Sequence, residues 1–344
     1  MIFYHIDQTM GKDGGEYMLI LSRSVINRIM KMEELIPLVE HALVEFSRGN
    51  CVQPDKEGLD LGIETGLLEI FLGYLSADQQ MAVKILNSRK KNPESGLPLI
   101  FATISLIDPD TGETLALIEG GSVTASRTAA ASAVAARFLS RPESRRLALI
   151  GTGRQGRTHL EALLQVRPIN QVSIYDIHRG SAETFRSESL EKYGIKIDIA
   201  SSVEEAVKDA DIIQLCTTTR EPVLFGAWVR PGSHINSIAS YAPTVRELDT
   251  ELVLKSKMVT DSRDEALKGA GDLLIPIREG LISGKHLYAE IGEIAGGVKP
   301  GRSNPREITV YKSMGIAAED VVAAAYLYRR ALNSQGGIEI SLED

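Results

Sequence analysis

An uninterrupted apolar run at residues 147–150 leads directly into Gly151-Thr152-Gly153-Arg154-Gln155-Gly156, and helical spacing of apolar residues follows over 158–166. A buried strand, a turn with glycines at its first, third and sixth positions, and a helix form, in that order, the loop that accepts a dinucleotide. The first glycine permits the tight turn, the second lets the backbone approach the pyrophosphate, and the third lets the helix pack closely on the strand. The helix N-terminus offers N–H groups and the positive end of its dipole to the phosphates. Thr152, Arg154 and Gln155 belong to the same loop. Asp176 follows the next apolar run, 171–175, where a carboxylate suits the ribose 2′-hydroxyl of NAD and repels a 2′-phosphate. Arg179, close behind it, suits a 2′-phosphate, so NADP stays open beside NAD. Thr217 and Thr218, after the 212–215 run, either border the cofactor or cap a turn, and Ser237, in the 234–238 run, is a further candidate for the cofactor site.

Apolar runs at 171–175, 197–200, 212–215, 234–238 and 258–260 alternate with helical segments at 182–193 and 203–208. Strands apolar on both faces and separated by helices require a parallel sheet covered on both sides. Residues 140–316 are therefore expected to form a dinucleotide-binding, doubly wound α/β domain of the Rossmann type. The chain before it reads differently. A strand or turn at 18–26 precedes a helix over 32–46, and strand-like pieces at 67–74, 81–86, 99–106 and 115–119 precede an alanine-rich helix over 126–139. A last helix, 317–332, either closes the parallel sheet or packs back on this first module. Two closely joined modules are expected, a β-rich one before residue 140 and a Rossmann domain over 140–316, with a cleft between them.

Composition narrows the function. Lys plus Arg number 38 against 46 Asp plus Glu, a net charge of −8, which argues against nucleic acid or an anionic membrane as the main partner. Aromatic residues are only 5% of the chain, with Trp228 the lone tryptophan, too few for a base-stacking platform. Two cysteines, Cys51 and Cys216, cannot build a disulfide framework or a four-ligand zinc site. His5, His41, His159, His178 and His286 stand singly and read as surface positions, and His234, starting an apolar run, as structural, so no metal is expected. Residues 1–10 lack the basic start and apolar core of a signal peptide, and the 99–107 run is too short to span a bilayer. A soluble, cytoplasmic protein that handles a small molecule is the expectation.

Further along, Val83-Lys84-Ile85-Leu86-Asn87-Ser88, Ser126-Arg127-Thr128-Ala129-Ala130, the glycine loop, His234-Ile235-Asn236, Arg246-Glu247-Leu248-Asp249 and Lys312-Ser313-Met314-Gly315 occur in order. Together they resemble the ornithine cyclodeaminase and mu-crystallin family over about residues 18–335. The resemblance implies a homodimer whose β-rich module, joined by the C-terminal helix to comprise 1–139 plus 317–344 around an inserted Rossmann domain, 140–316, makes both the dimer and the substrate pocket. It also implies hydride transfer between nicotinamide and the α-carbon of an amino or imino acid. Reduction of a cyclic imine, such as pyrroline-2-carboxylate or piperideine-2-carboxylate, is the leading expectation. The alternatives are an opine-type amino-acid dehydrogenase, an ornithine cyclodeaminase, and a non-catalytic NAD(P)-binding protein.

That chemistry needs an anchor for a carboxylate and a group that moves protons at nitrogen. Arg127 matches the family's carboxylate-binding arginine, its guanidinium offers a bidentate fork, and a place at a helix N-terminal end would oppose the dipole. Lys84 sits in an otherwise apolar run, where burial would depress its pKa and fit it for acid or base work; the bland alternative is a lysine snorkelling at a strand edge. Glu69 either faces the same pocket or faces solvent on an alternating strand. Lys56 lies near the position of a second family arginine, without that arginine's fork. Tyr241 stands where cyclodeaminases and alanine dehydrogenases carry a water-activating aspartate, a departure that favours reduction of a preformed imine.

Overall fold

The computed structural model describes residues 17–62, 65–239 and 242–341. It divides into two compact units, residues through Arg127 together with those from Ile316 onward, and Thr128–Gly315. In the first unit, strand β1 (Met18–Leu21) leads into helices α1 (Arg23–Ile29) and α2 (Met32–Ser47), then into β2 (Cys51–Val52), β3 (Glu57–Asp60), β4 (Gly66–Leu75), β5 (Gln80–Arg89), β6 (Ile100–Ile107) and β7 (Thr114–Glu119). The 18–26 segment is thus both a strand and the start of a helix.

β4, β5 and β6 form the long antiparallel ladders of this sheet, with Ile70 opposite Ile85, Phe71 opposite Lys84, and Lys84 opposite Ile104. Because side chains alternate along a strand, Phe71, Leu75, Ala82, Lys84, Leu86 and Ile104 share one face, and Ile70, Leu72, Ile85 and Phe101 the other. The first face is buried; Ile85 and Phe101, on the second, are 43% and 44% exposed.

β7 runs directly into α3 (Gly120–Leu139), which begins six residues before the expected 126 and crosses from the first unit into the second. Gly120, Gly121 and Ser122 are poor helix formers, but the Glu119 carboxylate accepts hydrogen bonds from the N–H groups of Gly121 and Ser122 and so starts the helix there. Arg127 consequently lies about two turns into α3; the expected placement at the helix N-terminal end, and the dipole argument built on it, do not hold.

The second unit comprises β8 (Arg146–Ile150), α4 (Arg154–Val166), β9 (Gln171–Tyr175), α5 (Arg179–Tyr193), β10 (Ile197–Ile199), α6 (Val203–Val207), β11 (Ile212–Leu215), β12 (His234–Ser237), α7 (Thr250–Lys255), β13 (Ser256–Thr260), α8 (Arg263–Gly269), α9 (Gly271–Arg278), β14 (Leu287–Glu290), α10 (Ile291–Ala295) and β15 (Ile308–Lys312). Its eight strands are all parallel, in the order β10-β9-β8-β11-β12-β15-β13-β14. Strand order reverses between β8 and β11, the switch point where doubly wound sheets bind ligands.

His159 corrects one expectation, for it is fully buried. Its Nδ1 lies 2.7 Å from the Gln155 carbonyl and must donate to it, leaving Nε2 to accept from the Ser132 hydroxyl at 3.1 Å. Burial pushes its pKa down to about 4, so the ring is neutral and ties α3 to α4. His234 is structural, bonded to Thr309 and Asn236.

The chain returns to the first unit as α11 (Ala317–Ser334) and β16 (Ile338–Ile340), the latter pairing with β1. α11 packs on β4, β5 and α2, which settles its alternatives in favour of the first module. Gly73 makes this possible: a Cβ there would lie 2.9 Å from Ala317 Cβ.

Candidate active site

In the second unit the glycine loop lies at the carboxyl end of β8. Gly151 has φ +96, and a Cβ on it would come within 2.3 Å of the Cys216 carbonyl just past β11; a Cβ on Gly156 would meet the Gly151 carbonyl at 2.3 Å. Both glycines are demanded by the fold. Gly153 is different. It caps α4 in extended backbone, and a Cβ on it would meet nothing within 4 Å, so the chain's own packing does not demand glycine there and the open space suits an approaching ligand. Gln155 Oε1, in the same loop, is buried with no hydrogen-bond partner among the described residues, whereas Arg154 is exposed. The loop therefore fits a dinucleotide pyrophosphate.

Asp176 stands beside it. One carboxylate oxygen accepts from both the N–H and the hydroxyl of Thr152 at 2.8 Å, and the other from the N–H of His178 at 2.9 Å. Partial burial works against its charge, but these donors outweigh burial and hold the group below the usual carboxylate range. Arg179 is exposed and paired with Glu183 at 3.3 Å.

Thr217 and Ser237 meet on Glu247, donating to its two oxygens at 2.7 and 2.8 Å, while Thr218 is exposed. Ser237 is fully buried and also accepts from Lys312, which pairs with Asp272 at 3.0 Å. Glu247 and Lys312 stand out in the sequence only as parts of motifs; Glu247 is met by Thr217 and Ser237 and Lys312 by Ser237 and Asp272, partners remote in the chain that leave no local signal.

The first unit gathers a second group. Lys84, on the buried face of β5, is 1% exposed; its Nζ lies 2.5 Å from Asp320 Oδ2 and 3.8 Å above the Phe71 ring. Arg127, 4% exposed, donates from Nε to Asp320 Oδ1 at 3.1 Å and from Nη1 to Glu319 Oε2 at 2.7 Å. Lys56, ahead of β3, places its Nζ 5.0 Å from the same Phe71 ring. Glu69 is partly exposed on the face of β4 that carries Phe71, opposite Leu86. The structure thus brings Lys84, Arg127 and Lys56 together, with Glu69 one pair further along; Tyr241 lies outside the described residues.

Glu319 and Asp320 were missed by the sequence reading. They occupy the first turn of α11, where the helix dipole favours carboxylates, and Gln53 accepts from the Ala317 N–H beside them. Burial pushes the Lys84 pKa down to about 8, Asp320 pulling it up and Arg127 and Lys56 pulling it down. Among the described residues no group of three or more His, Cys, Asp and Glu side chains could hold a metal ion, and no helix is long and apolar enough to cross a membrane.

A parallel sheet with a glycine loop at its switch point that fits a pyrophosphate, together with a mostly antiparallel sheet whose unit buries a lysine and an arginine on one carboxylate, defines a Rossmann-type α/β protein with a built polar site. Residues 16–335 match the ornithine cyclodeaminase/mu-crystallin family, and the chain belongs to it. A Delta(1)-pyrroline-2-carboxylate reductase of Bacillus cereus is 36% identical over 324 residues, 94% of this chain and 99% of its own. The structure of Thermococcus litoralis Delta(1)-pyrroline-2-carboxylate reductase in complex with NADH and L-proline aligns with a TM-score of 0.92 at 42% identity, over 94% of this chain and 100% of that one. An archaeal alanine dehydrogenase dimer with bound NAD gives a TM-score of 0.89 at 34% identity, over 95% and 99%.

Proposed function

We propose that the protein reduces the C=N bond of a cyclic α-imino acid of the pyrroline-2-carboxylate class, consuming NADH and a proton and yielding the cyclic amino acid. The observation that carries this reading is the juxtaposition of Lys84 and Arg127, a proton donor and a carboxylate anchor buried side by side. The names of the Bacillus cereus and Thermococcus litoralis relatives support it.

In this reading Arg127 binds the substrate carboxylate and Lys84 gives its proton to the imine nitrogen, with Lys56 and Glu69 bordering the substrate. The dinucleotide, when bound, supplies hydride to the imine carbon. Gly153 and the N-terminus of α4 receive its pyrophosphate, and Asp176, held ionised, favours NAD over NADP. Reduction of a preformed imine needs no activated water, which agrees with Tyr241 in place of an aspartate.

The exposed apolar residues Ile70, Leu72, Ile85 and Phe101 on the open face of the first unit's sheet fit a homodimer contact, as does the dimeric alanine dehydrogenase relative. The free thiols Cys51 and Cys216 suit a reducing cytoplasm. Following NADH absorbance with purified protein tests the activity: loss of NADH on pyrroline-2-carboxylate is expected. Dinucleotide binding with no turnover of any cyclic imine overturns the reading in favour of a non-catalytic protein.

A further inference from the structure

We propose that Asp320 is a positioning residue for this reaction, setting proton donor and carboxylate anchor together by holding Lys84 on one carboxylate oxygen and Arg127 on the other. The inference rests on the roles given above to those two residues. Asp320 is 2% exposed, and its two oxygens are directed to two different cations from two different elements. Glu319, its neighbour in the same turn, meets Arg127 through Nη1. The charged groups acting on Lys84 are Asp320 from α11, Arg127 from α3 and Lys56 ahead of β3, with Glu69 on the same sheet face. Burial and both cations favour loss of the Lys84 proton, and Asp320 is the carboxylate that bonds the ammonium and opposes them. An imine nitrogen meets a protonated donor only while that bond holds.

The test is Asp320→Asn, which keeps the shape and removes the charge, in the full-length protein. Lys84 is followed by NMR of isotope-labelled lysines, its signal assigned from its loss in Lys84→Met, so no substrate is needed. The wild-type midpoint is expected at about 8. In Asp320→Asn it falls by about one to three pH units, and the alkaline limb of kcat/KM for pyrroline-2-carboxylate moves down with it. Glu319→Gln raises KM and leaves the Lys84 midpoint in place. Identical Lys84 midpoints in wild type and Asp320→Asn overturn the proposal, as does an equal shift in Glu319→Gln, which marks a merely structural role. If Asp320→Asn does not fold, the wild type decides: a Lys84 already uncharged at neutral pH overturns the proposal, and a charged one supports it. A shifted midpoint in a protein that reduces no cyclic imine refutes the functional reading and leaves the Asp320 arrangement standing.

Discussion

In the proposed reaction Lys84 donates a proton only while it carries one, so its environment would set the pH range of that reaction. With burial lowering its pKa to about 8, imine reduction is expected to be level below that pH and to fall about tenfold per unit above it, read from kcat/KM against pH. Lys84→Met should lower kcat/KM by about a hundredfold to ten-thousandfold, as loss of a general acid does, while a fluorescence titration finds NADH affinity unchanged. Lys84 was legible in the sequence because an ammonium in the apolar run around it is costly and needs a reason. Arg127 was legible through its motif and fork chemistry, although its place in the helix was misread. Asp320 was not legible: an acid in the first turn of an amphipathic terminal helix already satisfies the dipole, so nothing local marks it as the partner of a lysine 236 residues away.

Among the elements, the β8–α4 turn separates two demands that the three glycines make together in the sequence. Gly151→Ala is expected to lower stability by about 1–3 kcal/mol from backbone strain alone, more with its clash against the Cys216 carbonyl, and thermal unfolding measures this. Gly153→Ala should unfold at the wild-type temperature yet lose about tenfold in NADH affinity, equivalent to about 1.4 kcal/mol. A Gly153→Ala protein that binds NADH like wild type would remove the loop's phosphate role. Periodicity gave the bodies of most of these elements, and their ends depended on chemistry that it does not register. The start of α3 is the example: glycine propensity argues for a later helix, and a single preceding carboxylate reverses that.

For the whole molecule, alternating strands and helices made the parallel sheet readable, but not its order. β15 is inserted between β12 and β13, an order that pairing across the sheet sets and no local pattern in the chain specifies. The open face of the first sheet was likewise hidden, because Ile70, Leu72 and Ile85 look like core residues until the register shows which side α11 covers. For the homodimer proposed above, Ile85→Lys is expected to give a monomer in light scattering where the wild type gives a dimer, at unchanged secondary structure; a variant that stays dimeric moves the contact elsewhere. The contrast within the glycine loop also has a meaning across lineages. A descendant that gave up its dinucleotide but kept this architecture would be held to glycine at 151 and 156 by its own atoms and released at 153, so drift at that one position would record the end of a trade rather than the end of a fold.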